Sequence, residues 1–473
     1  MRTKDEQIQY AASIVPSERQ LKWQELEFYA FLHFGVNTFT NSEWGNGNED
    51  PEIFNPAKLD ANQWANILKS AGMRAMIVTA KHHDGFCLFP SAYTDHSVKF
   101  SAWKDGKGDV LLEASEACKK YDLKFGVYLS PWDMHDPRYG EGEAYDKYFV
   151  NQLTELCTKY GELFCVWFDG ACGEGKNGRK QEYDWERYFA VVREHQPNAV
   201  ISICGPDVRW CGNESGVGRK SEWSVVPYYY SDQERIAAAS QQSELKPPRK
   251  VNFTTLDIGS RKAIKKAEKL IWYPAEVDVS IRPGWFYHKR EDISIKPLSK
   301  LMDIYYNSVG ANAAMLLNIP PDRDGLIAER DEETLRSMGA QLKIDFNENL
   351  AEDSIMTDSC RLDNEHSGQM ALEADSDKYW HTGENPENAE LILDLGDEYD
   401  IDKIVLGEHI RTGQHVEKFS LYAELDGKWK KLASETVIGY KRICRFPEIR
   451  VQRFRLVIEE TRCFATINRF EAY

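Results

Sequence analysis

The sequence predicts an α/β barrel followed by a smaller β-sandwich domain, and three features of the chain support this prediction. Apolar runs alternate with helix-like segments through most of the chain, which is the pattern of parallel βαβ units. Polar side chains gather directly after the apolar runs, where barrel proteins keep their functional groups. From about Lys343 onward, short alternating strands follow one another without long helices. We therefore divide the chain into a barrel over 1–344 and a sandwich over 345–473.

The barrel elements are predicted in chain order. A polar helical segment reaches about Gln24, and the first strand lies in the run EFYAFLHFGVNTF. Later strands are predicted in AMIV, LKFGVYL, LFCVWF, NAVISI, LIWYPAEVDVSI and ANAAMLLN, and helices over 60–70, 109–121, 144–160, 183–195, 299–310 and 329–342. Between 226 and 250 the pattern is irregular and predicts no complete helix. No GxGxxG motif follows the first predicted strand, which favours a closed barrel over an open dinucleotide-binding sheet.

Composition limits the classes of partner. With 473 residues, 42% of them hydrophobic and 12% aromatic, the chain can build a large core and an aromatic-lined pocket. The net charge of −17, from 76 acidic and 59 basic residues, disfavours nucleic acid and anionic membranes as partners. No window reaches the length of a membrane span and the first residues lack an apolar signal core, so we expect a soluble chain whose compartment stays open.

The ten cysteines form no recognisable framework. They are Cys87, Cys118, Cys157, Cys165, Cys172, Cys204, Cys211, Cys360, Cys444 and Cys463. Because they show no CxxC pair and no zinc-finger spacing, we expect mostly buried free thiols rather than disulfides or a structural zinc site.

The stretch 163–175, with the sequence LFCVWFDGACGEG, carries the first candidate catalytic residue. An apolar run ends there on a carboxylate, Asp169, and glycines follow at once. A carboxylate at the carboxyl end of a buried parallel strand is a candidate catalytic group. An Asp-Gly pair is also ordinary turn chemistry, so this stretch alone leaves both interpretations open.

Other strand ends carry carboxylates, imidazoles and indoles. The candidate site residues are His33, Glu43, Trp44, His82, His83, Tyr128, Trp132, Asp133, Asp169, Arg209, Glu214 and Trp285. The chain has no phosphate-binding glycine loop, no GxSxG motif and no HExxH helix. Paired carboxylates surrounded by hydrogen-bond donors and aromatic rings are what glycoside hydrolysis requires. A His-His-Asp run such as 82–84, taken alone, is more often a turn or part of a metal site.

Several motifs in a fixed order give the barrel domain its resemblance to a known family. They are HFG at 33–35, EW at 43–44, KHHDGF at 81–86, YLSPWD at 128–133, VWFDGACGEG at 166–175, RWCGNESG at 209–216, SEWSVVP at 221–227 and LNIPPDRDGLI at 317–327. Together they resemble the α-L-fucosidases of glycoside hydrolase family 29. GNESG followed by SEWSVVP resembles the branch that removes α-1,3- and α-1,4-linked fucose from Lewis-type glycans. The resemblance implies an imperfect (β/α)8 barrel and a retaining mechanism.

The resemblance also assigns roles to residues. It maps Asp169 onto the nucleophile that forms a covalent fucosyl-enzyme, and Glu214 onto the general acid and base. The implied fucose-binding residues are His33, Glu43, Trp44, His82, His83 and Tyr128. Glu222 lies close to Glu214 in the sequence and remains an alternative acid.

Further candidates keep two interpretations each. Trp132, Asp133 and the loop through Tyr145 are candidates for contact with the leaving sugar, or else a solvated loop. Trp285 is a pocket wall or a barrel-core residue. Arg209 is included as a substrate-binding candidate because it stands in the same motif as Glu214.

The second domain resembles galactose-binding-like, discoidin-type modules, chiefly in DSDKYWHTGE around Trp380. A tryptophan at this place is more often a core residue than a platform for a sugar. We therefore expect the domain to have a structural role against the barrel.

These features lead us to expect a retaining exo-α-L-fucosidase that acts on a fucosylated oligosaccharide and needs no metal or organic cofactor. By analogy with family members, we expect export to the periplasm or the medium, and the oligomeric state stays open. Two alternatives remain. One is a metal-dependent hydrolase that uses His82, His83 and Asp84, and the other is a glycan-binding protein without catalysis.

Overall fold

Apolar and β-branched runs form the strands of the first domain. The computed structural model describes residues 2–233, 257–384, 386 and 388–473. The strands described in the first domain are β1 (Phe28–Leu32), β2 (Ala75–Lys81), β3 (Lys124–Leu129), β4 (Leu163–Phe168), β5 (Val200–Ile203), β6 (Arg209–Trp210), β7 (Val225–Pro227), β8 (Leu270–Trp272), β9 (Ala275–Ser280) and β10 (Ala313–Asn318). Its α-helices are α1 (Lys4–Ala12), α2 (Glu18–Gln24), α3 (Val36–Thr40), α4 (Ala61–Ser70), α5 (Val110–Lys120), α6 (Glu143–Lys159), α7 (Trp185–His195), α8 (Arg261–Ile264), α9 (Leu298–Ser308) and α10 (Glu329–Asp345).

Eight of these strands form one parallel sheet in the order β5-β4-β3-β2-β1-β10-β9-β6. The edge strands β5 and β6 meet through a parallel bridge between Ser202 and Val208, so the sheet is a nearly closed barrel. β7 and β8 pair separately in an antiparallel arrangement. The carboxyl ends of the eight parallel strands therefore open on one end of the barrel, and this confirms the predicted fold class.

The predicted helices form close to their expected bounds because the sequence carries their caps. The Asp60 and Asp109 carboxylates accept hydrogen bonds from backbone N–H groups in the first turns of α4 and α5. α10 continues to Asp345, beyond the predicted end at 342. Of the irregular region over 226–250, the part from 234 onward lies outside the described residues.

Two apolar layers hold the barrel together. Tyr29, Phe31, Trp167 and Leu316 belong to the cluster that fills its interior. A larger cluster, which includes the fully buried Trp64 of α4, packs between the strands and the outer helices. Every residue of β1, β2 and β9 is buried, as expected for parallel strands that are covered on both faces.

The second domain is antiparallel. Its strands are β11 (Ile355–Asp358), β12 (Trp380–His381), β13 (Ala389–Gly407), β14 (Val416–Leu425), β15 (Lys428–Glu435), β16 (Arg442–Thr461), β17 (Thr466–Ile467) and β18 (Arg469–Ala472). The main sheet runs β11-β13-β16-β14-β15, with β18 added beside β13, and β12 pairs with β17. Trp380 is fully buried and its indole N–H donates to the Cys360 carbonyl at 2.9 Å, so it is a core residue.

The two domains are joined through Asn312, at the turn before β10. Its side-chain oxygen accepts the Tyr440 N–H at 2.7 Å, and its amide group donates to the Glu222 carbonyl at 2.6 Å. Gly439 lies against the same side chain with φ of +63°, and a Cβ there would come within 2.2 Å of the Asn312 side chain. The sandwich therefore contacts the segment that carries Glu222 through this asparagine.

All ten cysteines lie among the described residues, and all are free thiols. Seven of them are buried, as the sequence predicts. Among the helices that the structure describes, none is both long enough and apolar enough to cross a membrane.

We expect Gly339→Ala in α10 to destabilise the barrel. An alanine in a helix interior is normally better than glycine by about 0.5–1 kcal/mol. Here the added Cβ would lie 1.9 Å from the backbone oxygen of Ser70 in α4, and overpacking of this kind costs about 1–3 kcal/mol. The free energy of unfolding from urea titration should fall, whereas Ser337→Ala, at an exposed position of the same helix, should leave it within about 0.5 kcal/mol. An increase in stability for Gly339→Ala would contradict this packing argument.

Candidate active site

Asp169 stands directly after β4, beside the end of β3 in the parallel sheet. The Tyr128 hydroxyl donates to its Oδ2 at 3.0 Å, and the Ala171 N–H donates to its Oδ1 at 2.8 Å. His83 Nε2 lies 3.7 Å from Oδ2, and the carboxylate is 22% exposed. The bond from Ala171 is the turn that an Asp-Gly pair predicts, so the turn and an accessible carboxylate occur together. Anchored but reachable, such a group can act as a nucleophile.

Three histidines, His33, His82 and His83, form the floor of the same pocket, and each is less than one-tenth exposed. His33 Nδ1 lies 2.8 Å from the Asn318 amide oxygen, and His83 Nδ1 lies 2.7 Å from the Ser130 hydroxyl. Among the described residues, the Nδ1 atom of His82 has no hydrogen-bond partner. These contacts fix the ring positions and leave hydrogen-bonding capacity for a bound molecule.

The histidines are held neutral by burial. Burial lowers the pKa of His33 to about 3 and lowers the pKa of His82 well below its usual range. The pKa of His83 is lowered for the same reason, although the nearby Asp169 acts in the opposite direction. A neutral imidazole offers one donor and one acceptor, which suits an uncharged polyhydroxyl ligand.

Indole and phenol rings form the walls. The Trp132 ring lies 5.0 Å from His83, and the Trp44 ring, 49% exposed, lies 5.7 Å from Trp132. On another side Trp285, which is half-buried, lies 5.1 Å from His33. Trp285 is therefore a wall of the pocket that also covers the top of the barrel interior. Rings of this kind can cover an apolar face of a small ligand.

Glu214 reaches the pocket on a loop that is tied to β9 by a bridge between Ser215 and Val279. The Trp285 indole N–H donates to its Oε2 at 3.2 Å. Loss of hydration raises the pKa of Glu214, the negative charges of Asp169 and Glu43 raise it further, and the indole bond opposes the increase. A carboxyl group with a raised pKa beside another carboxyl group is suited to donate a proton.

Glu222 has the opposite surroundings. It is fully buried and forms ion pairs with both Arg209 and Arg219. Burial alone would raise its pKa, but the two guanidinium groups outweigh this effect and lower it. Glu222 and Arg209 thus form a charge cluster inside the protein, and neither fits the role of a group that meets a substrate or gives up a proton.

Asp133 also lies away from the pocket. It is fully buried, forms an ion pair with Lys81 at 2.9 Å and accepts the Tyr148 hydroxyl at 3.2 Å. Its other oxygen accepts the backbone N–H groups of His135 and Asp136. Because both carboxylate oxygens are occupied inside the protein, a direct contact between Asp133 and a substrate does not fit this geometry.

Both carboxylate oxygens of Glu43 contact other groups of the protein. Its Oε2 accepts the Trp285 N–H at 2.8 Å, and its Oε1 lies 2.5 Å from His288 Nε2. The side chain is about one-third exposed, so a ligand can still reach its edge. Its position links Glu43 to the same loop that carries the indole partner of Glu214.

Sequence reasoning missed two acidic residues inside the barrel, Glu276 and Asp278. Glu276 accepts the Trp167 indole N–H at 2.8 Å, and burial raises its pKa to about 7. Asp278 accepts the Trp210 indole N–H at 2.8 Å, and its pKa is raised well above its usual range by burial and by the charge of Glu214. Two acids at alternate positions of the strand AEVDVS point to the same face, and this spacing is the signal that could have found them.

The His82-His83-Asp84 run does not assemble a metal site. Asp84 accepts hydrogen bonds from the Asn37 amide at 2.8 Å and from the Phe86 N–H at 2.7 Å, and burial raises its pKa to about 8. Over residues 2–233, 257–384, 386 and 388–473, no three His, Cys, Asp or Glu side chains are grouped so as to hold a metal ion. Asp169 instead lies beside the neutral ring of His83, and its charge acts on a second carboxyl group, Glu214.

Comparisons with known proteins agree with this arrangement. The family model described as alpha-L-fucosidase matches residues 48–347, and the F5/8 type C domain model matches 354–470. "Alpha-L-fucosidase 1" of Arabidopsis thaliana is 40% identical over 471 residues, which cover 97% of this chain and 87% of the plant protein. A Ruminococcus gnavus GH29 fucosidase solved with fucose is 31% identical, with a TM-score of 0.85 over 98% of this chain and 95% of the other. A Bacteroides ovatus protein of known structure is 45% identical, with a TM-score of 0.87 over 100% of this chain and 76% of the other.

We expect Lys81→Met to destabilise the protein by about 3–5 kcal/mol, because it leaves Asp133 as a buried charge without its partner. In the parent protein, Lys81 and the surrounding donors overcome the effect of burial and lower the pKa of Asp133. The stability that this pair contributes is therefore present above the ordinary pKa of an aspartate and is lost as the pH falls through the lowered value. Thermal unfolding between pH 2 and pH 7 measures both effects. Lys58→Met, which removes an exposed ion pair with Asp324, should change stability by less than about 1 kcal/mol.

Proposed function

The chain belongs to the α-L-fucosidase family of glycoside hydrolases, and we propose that it is a retaining exo-enzyme that releases terminal α-1,3- or α-1,4-linked L-fucose from Lewis-type glycans. One observation carries the mechanistic part. The accessible carboxylate Asp169 and the carboxyl group Glu214 lie close enough for the charge of the first to raise the pKa of the second. This combination separates a nucleophile from an acid at one pH.

Asp169 acts as the nucleophile in this proposal. Its hydrogen bonds from Tyr128 and Ala171 fix the orientation of the carboxylate. Attack on the anomeric carbon breaks the bond to the leaving sugar and forms a covalent fucosyl-enzyme. Water then releases fucose, so two inversions give net retention.

Glu214 acts first as the acid and then as the base. Its raised pKa favours the protonated form, in which the carboxyl group donates to the departing glycosidic oxygen. Once the leaving sugar has gone, the Glu214 carboxylate takes a proton from the attacking water. Glu222 does not suit this role, because Arg209 and Arg219 hold it ionised and buried.

The neutral pocket supports fucose as the sugar that binds there. His33, His82 and His83 can each exchange hydrogen bonds with hydroxyl groups without adding charge. The indoles of Trp44 and Trp285 give apolar surface, against which a C5 methyl group can pack. A hydroxymethyl group at that position would lose its hydration against the same wall.

The linkage preference rests on the resemblance of the GNESG and SEWSVVP motifs to one branch of the family. We propose that the loop after Trp132 contacts the leaving sugar. Tyr93, His135, Arg138 and Lys176 line an open groove of about 580 Å³ beside it. The Met134 N–H of this loop donates to the His83 carbonyl, so the loop that borders the groove contacts the segment that carries His83. Asp133 and Arg209 are left out of this contact because both are buried in ion pairs.

The remaining parts of the proposal concern the whole chain. We propose that the domains divide at 344–345, that the sandwich braces the barrel and that the protein is exported. The contacts of the Asn312 side chain with Tyr440 and Gly439 support the proposal that the sandwich stabilises the barrel. Export is supported only by analogy with the family.

The decisive measurement is release of fucose from a Lewis-type trisaccharide, run beside an aryl α-L-fucoside. Asp169→Asn removes the attacking charge while keeping the shape, so turnover of both substrates should fall by about 10³-fold or more. NMR of the first product should show the α-anomer of fucose. Tight fucoside binding without turnover in the parent protein would instead favour a glycan-binding protein, and loss of activity on adding a chelator would favour a metal-dependent hydrolase.

The pH profile of kcat/KM tests the acid. Because Glu214 must be protonated, activity should fall on the basic side as it loses its proton, and its raised pKa places this limb above the usual range of a glutamate. Glu214→Gln should flatten the basic limb. Glu222→Gln is the matched control, since it should lower stability yet keep the bell shape. A basic limb that survives in Glu214→Gln and disappears in Glu222→Gln would reverse the assignment.

A further inference from the structure

The loop 284–288, which follows β9, folds around a single carboxylate. Glu43 Oε2 accepts the Trp285 N–H at 2.8 Å, and Glu43 Oε1 accepts the Phe286 N–H at 3.4 Å and lies 2.5 Å from His288 Nε2. Because a carboxylate only accepts hydrogen bonds, Nε2 carries the proton of this contact. Three donors from one short loop therefore converge on Glu43.

His288 is built into this arrangement rather than exposed to solvent. Its side chain is 1% exposed, and its Nδ1 lies 2.8 Å from the Asn41 amide oxygen. Gly284 closes the other side of the loop, where an added Cβ would lie 2.5 Å from Glu43 Oε1 and 3.1 Å from the His288 ring. The carboxylate thus has room only because position 284 is a glycine.

The loop carries the indole that meets the acid. Trp285 is fixed at its backbone N–H by Glu43 and at its carbonyl by the Asn318 amide at 2.8 Å. Its indole N–H then donates to Glu214 Oε2 at 3.2 Å. The position of this indole determines which direction the Glu214 carboxyl group can face.

We propose that His288 is a positioning residue for the acid-base step: it holds Glu43 in the 284–288 loop and thereby fixes the Trp285 indole against Glu214. This inference rests on the proposed role of Glu214. His288 itself does not contact the reacting atoms. It acts through Glu43 and Trp285, and neither the sequence motifs nor the comparisons assign it a role.

The consequence for Glu214 has a definite sign. The carboxyl group is surrounded by Asp169, Glu43, Asp278 and the Trp285 indole, which come from four different segments. The indole bond lowers the pKa of Glu214, and the charge of Glu43 raises it. Removing His288 loosens the indole, so the hydrogen bond that lowers the pKa of Glu214 weakens and this pKa moves upward.

The test compares two substrates that differ in their need for an acid. An aryl fucoside with an acidic phenol leaves with little protonation, whereas a sugar alcohol in a Lewis-type trisaccharide needs it. In His288→Leu, kcat/KM for the trisaccharide should fall about 10- to 100-fold, and the value for the aryl fucoside should fall far less. The basic limb of the pH profile should move up by about 0.5–1 pH unit. His288→Gln, which can still donate to Glu43, should recover most of the trisaccharide activity.

Two further variants keep the test decisive. Gly284→Ala moves Glu43 without removing His288, and it should reproduce the effect if His288→Leu does not fold. His415→Leu is the matched control, because His415 is equally buried but stacks on Phe464 in the second domain, and it should leave the ratio of the two substrates unchanged. Equal losses on both substrates, or an unmoved basic limb in His288→Leu and Gly284→Ala, would overturn the proposal.

Failure of the proposed role of Glu214 would give a different result from failure of the proposed role of His288. Glu214→Gln in the parent background should itself show the strong dependence on the leaving group. If it does not, the role of Glu214 fails, whatever His288 does. If it does and His288→Leu does not, only the positioning role is lost.

Discussion

The hydrogen bond between Tyr128 and Asp169 joins the ends of two neighbouring barrel strands at the point where both enter the pocket. It uses the parallel register, in which Tyr128 pairs with Trp167, so that the hydroxyl arrives beside the carboxylate two residues later. The ring of Tyr128 stacks on His82, and that histidine packs against the other two. The parallel register of the strands therefore sets the positions of these pocket residues, independently of the loops.

The acidic residues around this pocket separate into two groups according to their neighbours. Asp133 and Glu222 are buried beside cations, which keep them ionised, and they hold the structure together. Glu214 and Asp278 are removed from water and lie near other carboxyl groups, and these surroundings raise their pKa values although each accepts an indole N–H bond. Carboxyl groups thus serve as structural charges at two of these positions and, at Glu214, as the proton donor that we propose, according to their surroundings.

The sequence was sufficient for the fold class and for the strand ends that meet at the pocket. Alternating apolar runs place Asp169, Tyr128 and the histidines at one end of the barrel, because carboxyl ends of parallel strands must converge there. The short alternating strands predicted the sandwich of the second domain, and a resemblance around Trp380 indicated its discoidin-like kind; the F5/8 type C match and the antiparallel sheet confirm this fold.

The sequence could not show which polar side chains are already paired with other groups of the protein. Nothing in YLSPWD reveals that the last aspartate turns inward to Lys81, and nothing in SEWSVVP reveals that its glutamate is enclosed by two arginines. Likewise His288 follows Trp285 by three residues, but only the folded loop brings it to Glu43. These pairings join segments far apart in the chain, so they depend on three-dimensional packing that no local pattern encodes.

The buried, uncharged histidines have a consequence for the medium in which the protein works. Dissolved salt weakens attraction between exposed ions, but it has little effect on hydrogen bonds between a neutral ring and a neutral sugar. The large negative charge of the chain likewise exerts no net attraction on an uncharged sugar such as the fucose that we propose. Recognition of the sugar should therefore be nearly the same in dilute and in saline surroundings.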